Sequence, residues 1–321
     1  MSLKTFAAKL VIGLAGSFAL SSATYAEGYP SKPVQVIVPV GAGGDTDLNA
    51  RLFSRYMEKE LGQSFVIVNV KGAGGTIGMK RVRDADPDGQ TVLFYHNESM
   101  IPELMGMSDI TLSDFEMAGI GVLDNTTVLA VSNDAPYKSL ADFSTYAKAH
   151  PGEVEFAILT GGYPHLVGLA LEEAMGIKLN MVDVGGNSAK MVALKGKKTD
   201  MINIQYGLAR DYFASGDFVS LGLLSPERNP LIPDVVTTAE EGYPLAFNKF
   251  FFYAMPEGTP EETVEIFSAA MKRVVENPDY QAEAEKIFVT PTWMSPADSA
   301  AYAAGQREIY AKYADLLKQG N

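Results

Sequence analysis

A short apolar strand that runs into a glycine-rich turn and then directly into a helix occurs twice near the start of the chain. The first copy reads PVQVIVPVGAGGDTDLNARLFSRYMEKELG over residues 33–62, and the second reads SFVIVNVKGAGGTIGM over residues 64–79. This order leaves unpaired backbone N–H groups at the start of each helix, above the turn. The two turns together predict a site that holds an anion by main-chain groups rather than by side-chain charge.

The helix after the first turn has apolar residues at three- and four-residue spacings from Leu48 to Leu61, and Gly62 is its natural end. Asp45, Thr46 or Asp47 can cap its start. For Asp47 two interpretations stay open, a helix cap alone or a contact with a ligand.

Strands and helices continue to alternate along the chain, which predicts an α/β fold with mainly parallel pairing. A third strand, Thr91–Tyr95, ends at His96 and Asn97, and ligands collect at the carboxyl ends of such strands. His96 is therefore a candidate ligand contact, although a lone histidine is more often structural. Helices near Glu261–Glu276 and Ala297–Leu317 close the chain.

The first 26 residues have the pattern of a cleaved export signal. Lys4 and Lys9 precede an apolar run over Leu10–Leu20, and Ala26 suits a cleavage site. A membrane anchor is the alternative, but the run is short for a span of roughly 20 residues. We expect cleavage near Ala26 and a periplasmic mature protein.

Charge and composition exclude several classes of partner. The formal charge is −13, and loss of the two signal-segment lysines takes it to −15. Such a chain is a poor candidate for binding nucleic acid or an anionic membrane face. The chain has no cysteine, so neither a disulfide framework nor a lipid-bearing thiol is expected.

The motifs of common enzymes are missing from the sequence. The first glycine turn lacks the GK[ST] ending of a phosphate-binding P-loop, and Gly72, Gly74 and Gly78 are only a weak relative of the dinucleotide fingerprint. No G-x-S-x-G motif occurs, and the three histidines show no metal-binding spacing. We therefore expect no catalytic residue, metal or cofactor, with a nucleotide-dependent enzyme as the minor alternative.

Motifs along the whole mature chain resemble those of the TctC or Bug family, the extracytoplasmic solute-binding receptors of tripartite tricarboxylate transporters. They are YPSKP, GAGGDTD and AR in the first unit, ELGQ and GAGGTIG in the second, then PDG, Pro164-His165-Leu166, ERNPLIPDVVTTAEEGYP and MPEGTP. Each motif alone is weak, but their order and spacing together are specific to this family.

The resemblance implies a two-lobed type II periplasmic binding fold with a hinge and a ligand cleft between the lobes. We expect lobe 1 to comprise residues 27–127 plus 245–321, and lobe 2 residues 128–244. The implied partners are a small organic carboxylate and the permease subunits of a tripartite tricarboxylate transporter, and we expect a monomer. A receptor that instead signals to a membrane sensor kinase needs the same closing lobes and stays open as an alternative.

The resemblance also implies that main-chain groups of both lobes hold the carboxylate. With the strand-end residues above, the predicted ligand-binding residues are Gly43, Gly44, Asp45, Thr46, Asp47, Gly74, Gly75, Thr76, His96, Asn97, Thr160, Gly161, Gly162, Tyr163, His165, Val184, Gly185, Gly186 and Gln205.

The sequence departs from the family pattern on the side-chain side of the expected cleft. It has Tyr95-His96 where relatives tend to have Gly-Ser, Val184 where they favour Tyr, and Asn248-Lys249 with three phenylalanines where a Trp is usual. Asp45 stands at a position that varies among relatives. We therefore expect the main-chain contacts with the ligand carboxylate to be retained and the side-chain contacts to differ from those of relatives.

Overall fold

The computed structural model describes residues 28–319, so the predicted export signal lies outside the described residues. Eleven strands form two mixed sheets within this range. The strands are β1 (Val34–Val38), β2 (Phe65–Asn69), β3 (Thr91–His96), β4 (Phe115–Asp124), β5 (Thr127–Ser132), β6 (Glu155–Ile158), β7 (Asn180–Asp183), β8 (Met201–Gln205), β9 (Phe218–Leu223), β10 (Lys249–Pro256) and β11 (Thr290–Met294).

Helices cover both sheets and connect most of the strands. They are α1 (Asp45–Leu61), α2 (Thr76–Arg83), α3 (Ile101–Leu104), α4 (Leu140–Ala149), α5 (Tyr163–Met175), α6 (Asn187–Lys195), α7 (Tyr206–Ala214), α8 (Glu261–Glu276), α9 (Pro278–Lys286), α10 (Pro296–Ala311) and α11 (Ala314–Gln319). The predicted helix over 261–276 is confirmed, whereas the one over 297–317 is divided into α10 and α11 at residues 312–313.

The first sheet has the order β11-β4-β10-β3-β1-β2, and the second has the order β7-β6-β8-β5-β9. The chain passes from the first sheet to the second between β4 and β5, and returns between β9 and β10. The predicted predominance of parallel pairing was wrong, because β10 pairs antiparallel with both β3 and β4, and β5 pairs antiparallel with both β8 and β9. These antiparallel strands are the ones that carry the chain out of and back into each sheet.

Parallel register brings the glycine turns of the first sheet to one edge. Val38 of β1 is opposite Asn69 of β2, and Ile37 is opposite Leu93 of β3. The turns that follow these three strands therefore lie side by side. The second sheet repeats the arrangement, since β6 pairs in parallel with β7 and β8.

Aromatic packing fixes α1 on the first sheet. All eight residues of β10 are buried, and the Tyr253 ring lies 5.6 Å from that of Phe53 on α1 and 5.1 Å from that of Phe267 on α8. Ser54 and Tyr253 also share a buried 2.9 Å hydrogen bond. Burial of a side chain such as Phe53 contributes roughly 2 kcal/mol, so this cluster holds the start of α1 at the sheet edge.

Candidate functional site

A cavity of about 520 Å³ lies between the two sheets, at the edge where the glycine turns meet. Residues 39–42, 44–46, 71–75, 95, 96 and 98 contribute to its wall from the first sheet, and residues 186–190, 203 and 205 contribute from the second. Lys249, at the start of β10, lies on the same wall. A cavity of this size is typical of small-molecule sites.

Four helices begin next to this cavity, and each has a glycine at its N-cap. The N-caps are Gly44 of α1, Gly75 of α2, Gly162 of α5 and Gly186 of α6. Within residues 28–319, no side chain caps any of these four helices by a hydrogen bond. The first N–H groups and the positive dipole ends of α1, α2 and α6 are therefore available to an anion. The start of α5 already faces the Glu98 carboxylate, whose Oε1 lies 2.5 Å from where a Cβ on Gly162 would be.

The predicted side-chain cap of α1 was wrong, because Asp45, Thr46 and Asp47 belong to its first turn. Asp47 instead accepts hydrogen bonds from the Gly43 amide at 2.9 Å, from Arg51 Nε at 3.0 Å and from Asn69 Nδ2 at 3.0 Å. A carboxylate bound on three sides in this way holds the first glycine turn in place.

The second glycine turn needs a glycine at residue 75 for two reasons. Gly75 has φ +90°, which side chains disfavour, and a Cβ there would lie 2.2 Å from Oη of Tyr95. The Tyr95 hydroxyl donates to the carbonyl of Gly74 at 3.0 Å. Tyr95 thus packs directly beneath the main chain that faces the cavity.

A buried ion pair joins the start of α1 to β10 at the cavity wall. Asp45 Oδ2 contacts Lys249 Nζ, and both side chains are about nine-tenths buried. Burial alone would raise the pKa of Asp45, but the Lys249 ammonium outweighs it, so this pKa lies below its ordinary value. Asp45 is therefore ionised at neutral pH.

Two further titratable residues, His96 at the end of β3 and Glu98 just after it, lie at the cavity wall. His96 Nδ1 accepts the Glu98 amide at 3.2 Å, and burial together with Lys249 holds the pKa of His96 well below its ordinary value. The ring is therefore neutral, with its proton on Nε2, which lies 3.6 Å from Glu98 Oε2. Glu98 Oε1 is buried without a hydrogen-bond partner among the described residues, and burial raises the pKa of this carboxyl.

Lys190 of α6 is the charged side chain on the opposite wall. It is 1% exposed, and its Nζ donates to the carbonyl of Asn203 at 2.5 Å and to Asn203 Oδ1 at 3.1 Å. Burial, with Lys249 nearby, lowers the pKa of Lys190 to about 7.

The structure brings just under half of the predicted site residues to the cavity wall. These are Gly44, Asp45, Thr46, Gly74, Gly75, His96, Tyr163, Gly186 and Gln205. The Tyr163 hydroxyl, however, donates to the carbonyl of Phe247 at 2.6 Å. It therefore fastens α5 to the returning segment rather than pointing a free donor at a ligand.

The remaining predicted residues do not line the cavity. They are Gly43, Asp47, Thr76, Asn97, Thr160, Gly161, Gly162, His165, Val184 and Gly185. Asn97 donates to Tyr310 Oη at 2.5 Å, and His165 Nδ1 accepts from the Gly161 amide at 3.2 Å. Thr160 donates its amide to Asp183 at 2.9 Å, which ties the loop after β6 to the end of β7.

Sequence reasoning missed the side chains that add charge and polarity to the cavity. They are Glu98, Asn187, Lys190, Asn203 and Lys249. A lysine at the start of the aromatic run 249–253 was a usable signal for Lys249, because a charge in a buried strand needs a partner. Lys190 had no such signal, since it looks like one more surface lysine of a short helix.

Known proteins resemble this chain in both sequence and structure. A family model described as "Tripartite tricarboxylate transporter family receptor" matches residues 49–318. Protein BugT of Bordetella pertussis is 28% identical over 295 residues, which cover 89% of each chain. The periplasmic binding protein BugD aligns with a TM-score of 0.81 and 28% identity over 90% of this chain and 98% of its own.

A ligand-bound structure is also similar. MatC from Rhodopseudomonas palustris with bound malate aligns with a TM-score of 0.76 and 25% identity over 91% of this chain and 99% of its own. The fold is thus the two-lobed fold of periplasmic binding proteins, and the cavity is the cleft between its lobes. Because the family model spans most of the sequence, the chain belongs to the solute-binding receptors of the tripartite tricarboxylate transporter family.

Proposed function

We propose that this receptor binds a small organic carboxylate in the cavity by closure of its two lobes, 27–127 plus 245–321 and 128–244. The convergence of the glycine-capped starts of α1, α2 and α6 on one cavity carries this proposal. Each uncapped helix start favours an anion by about 0.3–1 kcal/mol when exposed, and by more where closing lobes exclude water. The malate bound to MatC supports a carboxylic acid as the ligand class.

Closure follows from contacts that the ligand makes with both sheets. A ligand shifts the balance between open and closed forms only through contacts that are better in the closed form. The glycine turns at 41–44 and 72–75 belong to the first lobe, and the α6 start belongs to the second. A carboxylate held between them therefore favours closure, and we propose that the permease subunits of a tripartite transporter recognise the closed form.

We propose that the mature protein is a periplasmic monomer that releases its ligand unchanged. None of the helices within residues 28–319 has the length and apolar character that crossing a bilayer requires. N-terminal sequencing of the exported protein tests cleavage near Ala26, and light scattering with size exclusion tests the monomer. Recovery of the ligand by NMR after prolonged incubation tests that it is not chemically altered.

Calorimetric titration of the mature protein with malate, succinate, glutarate, adipate, citrate, acetate and hexanoate tests the ligand class. The neutral dimethyl ester of malate, NAD and ATP serve as controls. We expect at least one acid to bind, with its ester and both nucleotides inactive. Binding of a nucleotide or an ester with no acid bound would contradict a carboxylate receptor.

A further inference from the structure

Lys190 is a buried cation on the second-lobe wall that has a free donor. Its Nζ makes two hydrogen bonds, both to Asn203. An ammonium has three N–H donors, so one stays available. Among the described residues, no carboxylate lies within 4.0 Å of this ammonium as an ion-pair partner.

Neither of the two carboxyl groups nearest to Lys190 forms an ion pair with it. Asp45 of α1 is paired with Lys249 of β10, and Glu98, after β3, contacts the neutral ring of His96 through Oε2 but lies more than 4.0 Å from the Lys190 ammonium. Asn203 of β8 offers only neutral acceptors. A buried ammonium without a partner is costly, and its cost is relieved when a ligand brings the missing negative charge.

We propose that Lys190 and the first turn of α6 form a second anion subsite, so that the receptor selects carboxylates with a second acidic group over monoacids of the same size. The proposal rests on the function proposed above and names the ligand class of that site. Asn187, Ser188 and Ala189 of the first turn share the cavity wall with Lys190. The uncapped helix start and the lysine therefore attract the same carboxylate group of the ligand.

The placement of the two anion subsites explains why a second acid group matters. The turns at Gly44 and Gly75 belong to the first sheet, whereas α6 and Lys190 belong to the second. A diacid with one group at each subsite contacts both lobes, and a monoacid contacts one subsite only. The diacid therefore makes more contacts that exist only in the closed form.

Proton uptake on binding follows from the same arrangement. In the unliganded cavity, burial and Lys249 hold the pKa of Lys190 at about 7, with Asp45 and Glu98 acting in the opposite direction and His96 neutral. A ligand carboxylate next to the ammonium raises this pKa. Above pH 7 a diacid therefore binds together with a proton, and its affinity falls as the pH rises, whereas a monoacid at the first-lobe subsite shows little of this dependence.

Calorimetric titration of the mature protein with matched pairs of acids tests the proposal. The pairs are malate with 2-hydroxybutyrate, succinate with butyrate, glutarate with valerate, and adipate with hexanoate. We expect at least one diacid to bind ten-fold or more tightly than its partner. Titrations at pH 8 in buffers of different ionisation enthalpy should show uptake of more than about half a proton for that diacid.

The variant Lys190→Met removes the charge and keeps the length of the side chain. We expect it to weaken the diacid ten-fold or more, to abolish the proton uptake and to leave the monoacid within about three-fold. Lys198→Met is the matched control, because it removes an exposed lysine just beyond the same helix. It should leave both affinities unchanged.

Three results would overturn the second subsite. These are equal or tighter binding of monoacids by the wild-type protein, absence of proton uptake with the bound diacid, or equal weakening of both acids in Lys190→Met. None of these three results contradicts carboxylate binding by the main chain of the first lobe, because an acid still binds in each case. If no acid binds the wild-type protein, the proposed function itself fails and the subsite fails with it.

Discussion

The side-chain amide of Asn187 donates a 3.3 Å hydrogen bond to Oδ1 of Asp45, from a helix of the second sheet to a helix of the first. The same amide donates to Gln205 Oε1 at 2.8 Å. Asp45 in turn contacts Lys249 on β10. A chain of polar contacts therefore crosses the cleft, and Gln205 fixes the orientation of the Asn187 amide that reaches Asp45.

Removal of this bridge by Asn187→Ala should shift the protein toward the open form. A net contribution of about 1 kcal/mol for the hydrogen bond corresponds to roughly five-fold weaker ligand binding. Small-angle scattering of the unliganded variant should show a larger radius of gyration than wild type, with an unchanged melting temperature. Equal scattering and equal affinity would mean that the bridge does not favour closure.

The Asp45–Lys249 pair should dominate the stability of the first lobe near the cleft. Lys249→Met leaves a buried carboxylate without its cation, which costs about 3 kcal/mol at pH 7. Asp45→Asn in the same chain should recover much of this loss. Lys272→Met, which removes a half-exposed lysine 3.9 Å from Glu276, is the control and should stay within about 0.5 kcal/mol of wild type.

The loss of stability in Lys249→Met should depend on pH in a definite direction. In the wild-type protein the folded pKa of Asp45 is depressed. The stabilisation is therefore present above the unfolded pKa of about 3.9 and is lost as the pH falls through the folded value. In Lys249→Met the buried carboxyl has lost its cation, so burial raises its pKa and it takes up a proton as the pH falls. Urea unfolding at pH 7 and pH 4 should therefore show a smaller loss of stability at pH 4, and an equal loss at both would contradict the ion-pair explanation.

Two glycines of the cleft should respond differently to substitution. Gly44 has φ −86°, and a Cβ there meets nothing within 4 Å, so Gly44→Val should fold normally. Its side chain would occupy cavity space at the α1 start, and we expect ligand binding to fall at least 100-fold. Gly75→Ala combines φ +90° with the Tyr95 overlap and should cost about 3 kcal/mol of stability.

Melting curves and titrations of both variants separate these effects. Normal ligand affinity in Gly44→Val would contradict the main-chain anion grip. An unchanged melting temperature in Gly75→Ala would contradict the structural reason for that glycine.

Local patterns were enough to predict the elements that position the cleft. The spacing from Leu48 to Leu61 and the stop at Gly62 predicted α1, and the apolar run Thr91–Tyr95 predicted β3. These signals are short-range, because helix periodicity and a left-handed terminal glycine act within a few residues. The antiparallel pairing of β10 with β3 was missed, since no local sequence pattern identifies a pairing strand about 150 residues away.

The side chains of the cavity were harder to predict, because their role depends on distant neighbours. Lys190 points inward because Asn203 accepts its ammonium from a strand that follows later in the chain. From the sequence alone, Asp45 is interpreted as a helix cap. Its role in a buried ion pair is visible only in the fold, where Lys249 of the returning strand contacts it. The glycine turns predict a main-chain site from local sequence. The charged side chains around that site come from both sheets, so they can be located only in the folded structure.

The buried ammonium of Lys190 should make the unliganded protein more stable as the pH rises above neutrality. Its folded pKa of about 7 lies below the unfolded value of about 10.4, so between these values the unfolded chain binds more protons. The penalty for burial is complete below pH 7 and declines as the pH rises. The free energy of unfolding of wild type, relative to Lys190→Met, should therefore increase by up to about 1.4 kcal/mol per pH unit. Urea unfolding of both proteins at pH 7, 8 and 9 without ligand measures this difference, and parallel stability curves would show that Lys190 keeps its proton in the empty cleft.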